Sequence, residues 1–132
     1  DLAAALTHLT RTVKRRSIVF VVSDFQDSDY EKSLRIAKRK HDIIPVVIGD
    51  QRELEMPSVG MIELKDSETG QVTQFDTASR RNRELFAARA KTQIAEQDNL
   101  FRRLKIGPIR IMTGEDYVDP IREYFHRRGE KK

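Results

Sequence analysis

Ile18-Val19-Phe20-Val21-Val22-Ser23-Asp24-Phe25 is the stretch on which the fold turns. Its first five residues are apolar, β-branched or aromatic side chains that favour an extended backbone. With no polar alternation, the run predicts a parallel strand covered on both faces. Ser23-Asp24 ends it with turn-forming side chains. Upstream, Leu2, Leu6, Leu9 and Val13 fall on one stripe with Ala5 beside it, which predicts an amphipathic helix over residues 1–14. Arg11, Lys14, Arg15 and Arg16 crowd its end, where cations suit the helix dipole. Downstream, Ser28-Asp29-Tyr30-Glu31 has the form of a capping box and predicts a second helix. Tyr30, Leu34 and Ala37 would face inward with Ile36 near them, and Lys38, Arg39 and Lys40 would close the last turn. A second apolar strand follows over residues 43–48 and stops at Gly49-Asp50. Strand, helix and strand in this order predict a right-handed βαβ unit with parallel pairing.

Beyond Asp50 the pattern changes. Residues 51–57 form a connector, with a helical turn expected around residues 52–55. Residues 61–65 and 71–75 read as two short strands. Between them, Asp66-Ser67-Glu68-Thr69-Gly70 is turn chemistry that predicts an antiparallel hairpin. A long helix is expected from Thr77 toward Leu104, with Ala87, Ala90, Ile94, Gln97, Phe101 and Leu104 on its inner stripe and a break near Asp98-Asn99. Residues 109–112 form a short strand. Asp119-Pro120 reads as a cap followed by proline at the first helical position, so the last helix would bury Ile121, Tyr124 and Phe125. The fold class is therefore α/β: parallel strands 18–22, 43–48 and 109–112, plus the hairpin.

Length and composition bound the function. The 132 residues suit one domain, and 35% of them are charged. There is no cysteine, which excludes disulfides, thiolate metal sites and cysteine nucleophiles and fits a reducing, cytoplasmic setting. No apolar run approaches the ~20 residues of a membrane span. The net charge of +4 is concentrated at the end, where Arg122, Arg127, Arg128, Lys131 and Lys132 face only Glu123 and Glu130; a solvated basic tail is the plain reading. Arg80, Arg81 and Arg83, like Arg102, Arg103 and Lys105, lie among acids and read as solvated helix faces, so nucleic acid is not the expected partner.

Asp24 is the most informative candidate. It lies just beyond the C-terminal end of the first strand, where open α/β sheets bind ligands. Ser23 and Phe25 flank it, and Asp50 ends the next strand in the same way. A carboxylate in that position suits a hard cation or polar ligand, and it equally suits an Asx turn or a helix cap. His8, His41 and His126 are scattered over separate elements and read as surface or turn residues. Glu53 and Glu55 have no acid–base partner in the pattern, and the sequence has no phosphate-cradling glycine loop or zinc motif.

The order of several segments resembles one bacterial family. They are Lys14-Arg15-Arg16-Ser17, then Ser23-Asp24-Phe25, Lys40-His41-Asp42-Ile43-Ile44, Asp50 to Glu53, Leu54-Glu55-Met56-Pro57, Leu64-Lys65-Asp66-Ser67-Glu68-Thr69-Gly70 and Asp76-Thr77. Thr113-Gly114-Glu115-Asp116-Tyr117-Val118 and Tyr124-Phe125-His126-Arg127-Arg128 complete the series. Together they resemble the domain-of-unknown-function 58 family across nearly the whole chain. The resemblance implies a von Willebrand factor A-like fold, a Rossmann-type sheet with helices on both faces. In that fold three loops assemble a metal-ion-dependent adhesion site. Asp24 matches the aspartate of the third loop. The Asp-x-Ser-x-Ser loop has no counterpart here, and the threonine of the second loop would precede Asp1. The chain is thus expected to be the C-terminal half of that domain, a single partial domain over residues 1–132 that holds no cofactor itself, whereas the intact domain would take a divalent cation such as magnesium.

The resemblance further implies a protein-interaction module, not an enzyme, that works with a MoxR-type AAA+ ATPase or its client. With the neighbouring strand outside this half, strand 18–22 would be a sheet edge. Ile18, Phe20 and Val22 would then form an interaction surface, most simply pairing with the same strand of a second copy. The alternative expectation is that the first helix folds back over the edge. Two further readings remain: a small phosphotransfer or hydrolase domain using Asp24 with Asp27 and Asp50, and a weak nucleic-acid binder through the basic clusters.

Overall fold

The structure is a computed structural model that describes residues 1–27, 29–50, 55–66 and 69–130. The elements run α1 (Leu2–Thr12), β1 (Ile18–Ser23), α2 (Glu31–Lys40), β2 (Asp42–Gly49), β3 (Met61–Lys65), β4 (Val72–Asp76), α3 (Arg80–Arg103), β5 (Ile109–Met112) and α4 (Val118–Glu130). They fall into two units: Asp1–Gly49 with Gln97–Lys132, and Asp50–Glu96.

The first unit is built on a three-stranded parallel sheet in the order β1-β2-β5. β2 is central, and its alternating side chains separate two apolar cores. Ile43 and Val47 join Leu6 of α1, Leu34 and Ala37 of α2, and Phe101 and Leu104 of α3. Ile44 and Val46 point the other way, onto Ile109, with Ile121 and Tyr124 of α4 packed against them. Leu34 and Ile44 are wholly enclosed, and each such side chain stabilises the fold by roughly 1.5–3 kcal/mol. The central strand also carries Pro45, which has no N–H to donate. Pairing with β5 begins one residue later, at Val46↔Ile109.

Local chemistry sets the helix ends. Asp1 caps α1 by accepting from the Ala4 N–H at 3.1 Å, and Asp27 accepts from the Leu2 N–H at 2.7 Å. α2 starts at Glu31, with no side-chain cap from Tyr30. The expected cap at Ser28 lies outside the described residues, as does the helical turn expected around residues 52–55, apart from Glu55. α3 runs unbroken through Asp98-Asn99, where a break was expected, because Gln97 and Phe101 both lie buried on its inner face. It ends in a Schellman turn. Lys105 takes the left-handed position at φ 56° and donates to Arg102 O, while Ile106 N donates to Phe101 O at 2.9 Å. The buried Ile106 and Phe101 supply the hydrophobic contact of that motif. α4 begins at Val118, earlier than its Asp119-Pro120 signature indicated, because Asp116 accepts the Val118 N–H at 3.0 Å.

The second unit holds the β3–β4 hairpin in the register Met61↔Asp76 to Lys65↔Val72. Gly70 turns the chain at φ 74° and donates to Asp66 O at 2.8 Å. Fully buried Thr77 ties the hairpin to the segment before it: its hydroxyl donates to Gly60 O and accepts from the Val59 N–H.

Candidate functional site

Two groups of sequence-predicted residues occupy β1 and the turn after it. In the turn, the Ser23 hydroxyl accepts from the Phe25 N–H at 3.0 Å, and the Asp24 carboxylate accepts from the Gln26 N–H at 3.0 Å. This is the Asx-type geometry that the sequence left open as an alternative for Asp24. Asp24 itself is exposed. Phe25 adopts the left-handed region at φ 55°, unusual for a bulky residue. Two features hold it there. Its ring is buried edge-on against Tyr30 and Phe101, with centroids 5.7 and 5.3 Å away. Buried Gln97 of α3 donates from Nε2 to both Asp24 O and Phe25 O, at 3.3 and 3.1 Å. Phe25 therefore serves as the anchor that fixes the turn, and its ring is not on the surface. Burial also raises the pKa of the neighbouring Tyr30 above the ordinary tyrosine value.

Asp50 follows β2 and is half-buried. The Gly49 carbonyl before it accepts from the Thr113 N–H at 2.8 Å. Among the described residues no group of three or more His, Cys, Asp or Glu side chains gathers as a metal cluster would require. One carboxylate does not make the oxygen shell of a hard cation. The donor set of these residues does not fit a divalent cation held by this chain's described residues alone.

β1 is an edge strand, and this corrects its reading as a strand covered on both faces. Val19 and Val21 pack into the core shared with α1 and α2. Ile18, Phe20 and Val22 face the other side and are 64, 49 and 65% exposed. The α4 helix covers β2 and β5 on that side, and its Phe125 reaches β1. That ring, 43% exposed, meets Phe20 edge-on at 6.3 Å. α1 packs on the opposite face of the sheet, so it does not cover these three side chains. The result is an apolar strip along a strand whose outer edge has no strand partner among the described residues.

Sequence reasoning missed two residues of consequence. His41 is a buried residue at the α2–β2 junction, and its Nδ1 accepts the Ser17 N–H at 3.1 Å. Arg128, expected in a solvated tail, instead folds back to pair with Asp42 at the start of β2. That pairing raises the guanidinium pKa. Neither contact has a local sequence signal, since each joins residues far apart in the chain.

An α/β protein with a parallel sheet of Rossmann type, open along one apolar edge, is what these features define. Residues 1–96 match the family described as "Protein of unknown function DUF58", and the chain belongs to it. It is 28% identical over 132 residues to an uncharacterized protein of Mycobacterium avium, covering 98% of this chain and 78% of that protein. It is 30% identical over 134 residues to uncharacterized proteins of Mycobacterium bovis and Mycobacterium tuberculosis, covering 98% of this chain. The chain spans 41% of the length of those two relatives. No solved structure matches it. Among the described residues no helix is long and apolar enough to cross a membrane.

Proposed function

We propose that this chain is a non-enzymatic protein-interaction module, part of a von Willebrand factor A-like domain that works with a MoxR-type AAA+ ATPase in the maturation of proteins or complexes. One observation carries the reading: Ile18, Phe20 and Val22 stand exposed on an edge strand. Apolar side chains in contiguous exposed strips mark contact surfaces, and an unpaired edge offers a row of backbone groups to another strand. The occupant we assign is a second copy of this chain. A two-fold axis would set two β1 strands antiparallel, edge to edge, and would bring their exposed apolar faces into one surface.

The partner of the intact domain would be recognised at the other end of β1. There Asp24 would share a divalent cation with an Asp-x-Ser-x-Ser loop and a threonine, and the cation would accept a carboxylate from the partner. Within the chain described, the exposure of Asp24 and the fixed turn beneath it support that role. Magnesium calorimetry tests it on a polypeptide that carries all three loops. Binding that disappears in Asp24→Ala is the expected result. Magnesium binding unchanged by that substitution would overturn the assignment.

A further inference from the structure

At the end of the sheet opposite Asp24, where the three parallel strands begin, lies a cavity of about 530 Å³. This is within the range of about 300–1,000 Å³ typical of small-molecule sites. Arg16, Lys38, Lys105, Arg127 and Arg128 line it, with Asp42 as the only carboxylate among the described lining residues. The described lining residues carry a net charge of +4, equal to that of the whole chain. Charge is therefore gathered here and balanced elsewhere. Asp42 is already engaged by Arg128, and the Lys38 ammonium donates to the neutral Leu104 carbonyl, with no ion pair of its own among the described residues.

His41 adds a second, independent observation. It lines the same cavity and is 1% exposed. Because Nδ1 accepts the Ser17 N–H, a neutral ring carries its proton on Nε2. That Nε2 is buried and has no hydrogen-bond partner among the described residues. An unmet buried donor is costly, and a small shift of the ring that opened Nε2 to the cavity would let a ligand oxygen accept from it. Ile43, Ile106, Pro108 and Tyr124 form an apolar wall beside the cations. A surface that only solubilises the protein needs neither an enclosed donor nor such a wall.

We propose that this cavity binds a small organic ligand bearing two or more phosphate groups, its anionic head among the cations and its body against Ile106, Pro108 and Tyr124. One singly charged carboxylate would leave most of the +4 unmatched; a diphosphate offsets most of it. Arg and Lys supply charge-assisted hydrogen bonds to phosphate oxygens, and the Arg fork does so in bidentate geometry.

Calorimetry with inorganic pyrophosphate, at constant ionic strength, tests the head-group site directly. The expected result is one ion per chain, with Arg16→Gln and Lys105→Gln each weakening it about tenfold, the loss of one charge-assisted hydrogen bond. Asp42→Asn should tighten binding, since it removes the opposing charge and releases Arg128. Arg16 and Lys105 are exposed, so their variants fold, and far-UV circular dichroism confirms it. The His41 Nε2–H resonance should shift on addition of pyrophosphate. A nucleoside diphosphate should bind more tightly than pyrophosphate through the apolar wall. Absence of binding up to the millimolar range would overturn the proposal, as would affinity indifferent to the three substitutions. A duplex oligonucleotide held more tightly than either phosphate at the same salt would overturn it in favour of a nucleic-acid surface.

Discussion

Replacing Ile18 and Val22 by lysine should abolish self-association without unfolding the chain. The exposed fractions of Ile18, Phe20, Val22 and Phe125 together equal about two complete apolar side chains, worth roughly 3–6 kcal/mol when covered. A two-fold pair covers at most that amount twice, an upper bound of roughly 6–12 kcal/mol, because edge-to-edge pairing joins the two faces without enclosing them. Lost translational and rotational freedom opposes it by about 4–15 kcal/mol. The two terms nearly cancel, and hydrogen bonds between paired edges add about 0.5–1.5 kcal/mol each. The dimer is therefore expected to be weak, with a dissociation constant in the micromolar to millimolar range. Ile18→Lys with Val22→Lys removes the two most exposed residues of the strip from each copy, roughly 4–8 kcal/mol of coverage across the pair. Like charges would then line both edges. A loss of up to about three decades in affinity follows. Sedimentation velocity over a concentration series reads it. Both side chains are mostly exposed in the single chain, so urea unfolding should change by no more than about 0.5 kcal/mol. A wild-type chain that stays monomeric throughout, or a double variant that associates as the wild type does, would refute the reasoning.

Other substitutions probe the parts that hold the Asp24 turn in place. Gln97→Leu strips two carbonyls of their donor and should cost about 1–3 kcal/mol in urea unfolding, with an unchanged midpoint as the contradicting result. Phe101→Ala removes a fully buried ring beneath Phe25 and should cost about 3–5 kcal/mol; a smaller loss would show that the cavity collapses. Because burial raises the Tyr30 pKa, the folded chain holds that proton more tightly than the unfolded chain does. Stability from this group is complete below pH about 10, the ordinary tyrosine value, and falls as pH rises through the folded value. Tyr30→Phe should flatten that decline in pH-dependent unfolding, and an identical slope would contradict it.

The parallel sheet and the hairpin were legible because their signals are local. Apolar β-branched runs mark residues 18–22 and 43–48, and Asp66 to Gly70 carries turn chemistry. The stripe Ala90, Gln97, Phe101 and Leu104 is buried as helical spacing predicts, and the Gln97 that interrupts it proves to be the residue that clamps the Asp24 turn. What local pattern did not disclose depends on neighbours. Ile18 to Val22 reads the same whether one face is covered or two, since coverage is decided by where α4 lies. Phe25 looks like a surface companion of Asp24 in the sequence; its left-handed backbone turns the ring into the core instead. The cavity at the start of the strands gathers residues 16, 38, 41, 105 and 127–128, separations that no motif spans. Basic residues that seem dispersed along the chain become one electrostatic feature only after folding.

Hydrogen exchange at the β1 amides, followed as a function of protein concentration, addresses the open edge directly. Outward-facing amides between Val19 and Ser23 should gain protection as concentration rises, and Ile18→Lys with Val22→Lys should erase the gain. Protection that is already complete at the lowest concentration, or that never varies with it, would contradict the claim that this edge is the chain's contact surface.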